Sequence, residues 1–95
     1  MPAAAARIAT PHASKYLAGL CSRFARSAPA KLDGDEGRID LPFGPCHLSA
    51  FPGSLALVVE ADDDAALAHL QWVVANHLKR VAPREPLQID WSPVW

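Results

Sequence analysis

The chain has 95 residues, which is one domain, because a core of that size buries only about two-thirds of the unfolded surface and does not divide into two stable halves. Hydrophobic residues make up 51% and charged residues 20% of it, a globular composition that excludes a disordered chain. Nine Lys and Arg against ten Asp and Glu leave a formal net charge of −1, so no field of one sign exists to attract nucleic acid or an anionic membrane surface, and neither is an expected partner.

Met1–Ala6 is rich in alanine, but Arg7, Thr10, Pro11 and His12 interrupt it before a signal-peptide apolar region or a spanning segment can form. The expected location is cytoplasmic. In that compartment Cys21 and Cys46 read as small buried thiols rather than as a disulfide.

The first element expected is a short extended start over Ala3–Thr10, with Arg7, Ile8 and Ala9 as an edge strand and Thr10-Pro11 as N-cap and first-turn residues of a helix. Ala13, Tyr16, Leu17, Leu20 and Phe24 then recur at three- and four-residue steps, which predicts a helix between Pro11 and Ser27 with Lys15, Ser22, Arg23 and Arg26 off its apolar stripe. Ser27-Ala28-Pro29 ends it, and Arg26 suits the negative end of its dipole. Ala30–Leu32 either extends the next strand or leads to it, and Asp33–Gly37 is a turn by composition.

Ile39, Leu41 and Phe43 alternate with polar neighbours, Phe43-Gly44-Pro45 breaks the run, and Cys46, Leu48 and Ala50 alternate again. Pro52-Gly53-Ser54 turns the chain into Leu55–Glu60, where Leu57 and Val59 continue the inward set, so an antiparallel meander of three strands is expected. Asp62, Asp63 and Asp64 open a second helix, acting as caps at its positive dipole end. Ala66, Leu70, Val73, Val74, His77, Leu78 and Val81 form its stripe, Lys79 and Arg80 close it, and Pro83 stops it. A last strand is read at Leu87, Ile89 and Trp91, ending at Pro93, with Val94 and Trp95 as an apolar tail. The predicted architecture is therefore α+β, a two-layer sandwich in the order β-α-β-β-β-α-β. Its mostly antiparallel sheet of four to five strands carries both helices on one face.

Over nearly its whole length the chain resembles a small bacterial family known as a domain of unknown function, DUF2218. The resemblance rests on Ser14-Lys15-Tyr16-Leu17, Gly37-Arg38-Ile39-Asp40, Phe43-Gly44-Pro45-Cys46, Glu60-Ala61-Asp62, the run Val73 to Arg80, and Arg84-Glu85 leading to Ile89-Asp90-Trp91. It implies a bacterial origin and a compact α+β domain, and it carries no established activity. Relatives show histidines near the end of the first helix where this chain has Arg23 and Arg26, so a metal site built there would be missing. Pro83 stands where the resemblance implies a larger apolar residue.

Among candidate sites His77 stands out, since an imidazole on an apolar stripe either hydrogen-bonds in the core or serves as a ligand or base. His69 lies two turns away, ~12 Å along the helix axis, beyond the i, i+4 spacing of zinc helices. Cys21, Cys46, His47 and His77 hold suitable atoms for a ligand site. No Cys-x-x-Cys or His-x-x-x-His occurs, however, and adjacent Cys46 and His47 point to opposite faces of a strand, so no metal is expected. Asp33-Gly34-Asp35-Glu36 lacks the oxygen spacing of a calcium loop, and no serine elbow or phosphate-binding glycine loop appears. No catalytic residue and no cofactor is expected.

Trp72 falls opposite the buried stripe of the second helix, and Trp91 and Trp95 crowd the C-terminus, so these three are the candidate interface residues. The leading functional expectation is a non-catalytic binding module acting as a homodimer, through a free sheet edge or the tryptophan-bearing surface. A protein handling a metal or small ligand through His77 with Cys21 or Cys46 is the alternative, and a small enzyme with groups from unlinked positions is the third.

Overall fold

Apolar residues at every second position over much of the chain drive it into strands, and two longer stretches with helical spacing cover the face those strands make apolar. The computed structural model describes residues 2–94. The elements are β1 (Ala3–Ala9), α1 (Ala13–Phe24), β2 (Ala30–Asp33), β3 (Glu36–Leu41), β4 (Gly44–Phe51), β5 (Ser54–Glu60), α2 (Asp64–Val81) and β6 (Ser92–Val94). One antiparallel sheet runs in the order β2-β3-β4-β5-β1-β6.

The α+β class and the meander β3-β4-β5 match the reading of the sequence, but the sheet has six strands rather than four to five. The extra one is β2. Its four residues show no apolar alternation, yet Gly34, with φ of 60°, allows a tight turn that folds Ala30–Asp33 back onto Glu36–Ile39.

Register lines up the inward side chains in rows across the sheet. Ala4, Val59, Cys46 and Ile39 form one, Ala6, Leu57 and Leu48 a second, and Ile8, Leu55 and Ala50 a third. All ten are buried, and α1 packs over them with Ala13, Tyr16, Leu17, Leu20, Cys21 and Phe24. From α2, Leu70, Val74 and Leu78 are the fully covered residues, with Val73 and Val81 packed at their margins.

β1 pairs with β5 over all seven residues and with β6 over Ala3–Ala5 only, so Arg7, Ile8 and Ala9 lie at an edge as the sequence suggests. Two local expectations are corrected. The N-cap position of α1 falls not to Thr10 but to His12, whose side chain makes no capping bond; the Thr10 hydroxyl instead accepts from the His12 amide at 3.1 Å and holds the turn that leads into the helix. The last strand does not start at Leu87. Residues 86–91 have no regular structure, although Leu87, Ile89 and Trp91 still pack against the core, and pairing begins only at Ser92, opposite Ala5. Pro93 is tolerated there because β6 is an edge. The start of α2 matches expectation, with the Asp63 carboxylate accepting from the Ala66 amide at 2.7 Å.

Candidate functional site

The last turns of α1 and the C-terminal half of α2 lie against each other, and Gly19 permits the approach: a Cβ there would come within 2.7 Å of Val81 Cγ1. Beyond that contact the helices open into a groove of about 400 Å³ lined by Gly19, Ser22, Arg23, Arg26, His77 and Val81. His77 therefore sits on the flank of its stripe facing α1 rather than among the fully covered core residues. Its ring packs on Phe24 with centroids 4.4 Å apart, and its Nδ1 accepts a hydrogen bond from Arg23 Nε at 2.9 Å. That bond assigns the neutral tautomer with the proton on Nε2. Burial, then the charges of Arg23 and Arg80, hold the imidazole below its usual pKa.

The other candidates lie elsewhere. Cys21, on the buried face of α1, and Cys46, in β4, are free and buried, and neither thiol lines the His77 groove. Burial pushes the Cys46 thiol up to about 12, with a further contribution from Cys21, and burial also raises Cys21, whose Sγ faces the Lys31 carbonyl at 3.9 Å. Both are thereby disfavoured as thiolates, the form that attacks or ligates. His47 points to the opposite side of the sheet from its neighbour Cys46, with Nε2 3.9 Å from Glu60 Oε1. Among the described residues no three His, Cys, Asp or Glu side chains converge on one point suited to a metal ion.

Trp72 stands on the outer side of α2 and is 64% exposed. It continues an aromatic series: the Phe43 ring meets His69 edge-on at 4.4 Å, and His69 stacks toward Trp72 at 6.4 Å. Trp91 is half-buried against the core, and Trp95 lies outside the described residues.

Sequence spacing missed Arg23 as the partner of His77, which lies 54 positions away. It also missed the junction where Glu85 Oε1 accepts from the Thr10 hydroxyl at 3.0 Å and from the Tyr16 hydroxyl. A usable signal for the groove was present. No acidic residue occurs from Pro11 to Leu32 or from Ala65 to Arg84, while Arg23, Arg26 and Arg80 fall within those stretches.

No described helix is long and apolar enough to cross a membrane. A two-layer α+β domain with an aromatic surface on one helix and a basic groove between two is thus the class that fold and sites define. The chain belongs to the family described as an uncharacterized protein conserved in bacteria (DUF2218), whose model matches residues 5–92. It is similar to PA4090 from Pseudomonas aeruginosa, solved by NMR, at 33% sequence identity and a TM-score of 0.81, over 97% of this chain and 96% of that one. Comparison with curated proteins finds no match.

Proposed function

We propose that the protein is a non-catalytic binding module that acts as a homodimer through the outer face of α2, with Trp72 at the centre of the interface. The observation that carries this is the exposed aromatic series Phe43-His69-Trp72, since large rigid aromatics with a polar edge supply contact area at low entropic cost and are enriched at interfaces. A two-fold axis near Trp72 sets the same surface against itself.

The sheet edges are poorer routes to assembly. β2 is four residues long and carries Lys31 and Asp33, and β6 is three residues long with a proline in the middle, features that blunt edge-to-edge pairing. The non-catalytic reading is supported by two thiols held protonated and by a histidine whose Nδ1 is occupied by an arginine donor instead of an orienting carboxylate.

Light scattering over a concentration series tests the proposal. The wild-type chain runs as a dimer, and Trp72→Ala shifts it to monomer while leaving its circular dichroism unchanged. A strict monomer at high concentration overturns the reading, as does a dimer indifferent to Trp72→Ala.

A further inference from the structure

We infer that the α1–α2 groove is a binding site for a small molecule carrying two or more anionic oxygens, with Arg23, Arg26 and His77 as its principal contacts. The inference is independent of the dimer and stands for a monomer as well.

Charge is the first ground. Two guanidinium groups, Arg23 and Arg26, line this groove, and a third, Arg80, acts on His77 through its charge, in a chain whose net charge is negative. Among the described residues none of the three has a carboxylate partner: the ion pairs there are Arg38 with Asp40 and His47 with Glu60. The helices cannot supply one, because α1 has no acidic residue and α2 has none after Asp64. Basic residues at helix C-termini ordinarily answer the macrodipole, but each terminus carries only about half an elementary negative charge. Two helix ends therefore balance roughly one of the three guanidiniums, and a positive excess remains.

Geometry is the second ground. Binding Arg23 Nε to His77 Nδ1 fixes the plane of the guanidinium and leaves its two terminal nitrogens for a bidentate contact with an oxyanion. The same bond leaves His77 Nε2–H as a donor, and the Ser22 hydroxyl on the groove wall adds another. Phe24 beneath the imidazole holds it in place. A preformed set of donors with no carboxylate among the lining residues, in a groove of about 400 Å³, suits a small phosphorylated or polycarboxylate molecule.

Amide and histidine NMR of the full chain, titrated separately with inorganic pyrophosphate and with citrate, tests this. The expected result is saturable shifts at Ser22, Arg23, Arg26 and His77 with at least one probe. Binding should weaken about tenfold or more in Arg26→Gln, the worth of one charge-assisted hydrogen bond. Arg26 lies past the end of α1 and is exposed, so the variant folds, and Arg38→Gln, remote from the groove, serves as the unaffected control. Preference for pyrophosphate assigns a phosphoryl ligand, and preference for citrate a polycarboxylate. Absence of shifts with both probes at millimolar concentration overturns the site, as does an affinity unchanged by Arg26→Gln.

Discussion

The two helices cover the same sheet in different ways. In α1 six of twelve residues are buried, so half the helix is core and its identity is set by packing. In α2 only Leu70, Val74 and Leu78 of eighteen residues are fully covered, and the rest of its circumference meets solvent, the α1 flank or the aromatic series. Both candidate surfaces follow from that difference. Trp72 and His77 sit on a helix that needs only one narrow stripe to stay attached, which leaves two other faces free to carry chemistry.

The largest test of the contrast is a pair of truncations. Leu20 on α1 is completely covered, and Leu20→Ala removes buried volume that its neighbours cannot refill, at a cost of about 2–5 kcal/mol. Trp72→Ala on α2 deletes a larger side chain from an exposed position, so the stability of the isolated chain changes by no more than about 0.5 kcal/mol. Urea denaturation of both at low protein concentration gives the comparison. A Trp72→Ala loss matching that of Leu20→Ala would mean that α2 is as deeply engaged as α1.

A finer test uses the two glycines at which α1 makes its close approaches. A Cβ on Gly37 would lie 2.8 Å from Cys21 Sγ and 2.9 Å from Leu17 Cδ1, both on buried side chains with no room to retreat, so Gly37→Ala costs about 1–3 kcal/mol by overpacking. A Cβ on Gly19 would meet Val81 alone, 2.7 Å from Cγ1 and 3.8 Å from Cβ and Cγ2, at the margin of the core, and alanine gains up to about 1 kcal/mol over glycine inside a helix, which offsets part of the overpacking. Gly19→Ala is therefore expected to cost less than Gly37→Ala, read as a smaller drop in Tm. Equal drops would place the α1–α2 seam on the same footing as the α1–sheet seam.

How far the fold could be read from the residues follows the same division. The α1 stripe and the alternation at Ile39, Cys46, Leu48, Leu57 and Val59 were legible because each side chain faces one thing, the core. β2 was not, since a strand at a sheet edge with most side chains exposed is held by backbone pairing that leaves little apolar pattern. Leu87, Ile89 and Trp91 mislead in the opposite sense: the alternation is real and the three side chains do pack on the core, but Pro86 supplies no N–H and no neighbouring strand pairs with residues 86–91. At the candidate site, periodicity placed His77 on the correct side of α2 but could not supply Arg23, because contacts between helices far apart in sequence leave no spacing to read.

The smallest expected effect concerns that contact. Burial and the neighbouring Arg23 and Arg80 charges lower the folded-state pKa of His77, and Arg26, just past the end of α1, adds a third cation at the same groove, with no carboxylate on either helix flank to oppose them. A histidine with a depressed folded pKa stabilises the fold fully above its unfolded value, about 6.5, and that contribution is lost as pH falls through the folded value. Protonation would also convert the Nδ1 acceptor of the Arg23 bond into a donor, so the bond and the charge balance fail together. Comparing the Tm of wild type and His77→Gln in chloride buffer from about pH 8 to about pH 5 isolates the term, because glutamine offers Arg23 an acceptor that does not titrate. The wild-type chain should lose stability relative to the variant as the pH falls. A bound oxyanion would oppose the loss by stabilising the imidazolium, so pyrophosphate or citrate should flatten the wild-type profile and leave that of the variant less altered. Parallel profiles under all conditions would show that His77 titrates as freely as an exposed histidine and that the α1–α2 flank does not constrain it.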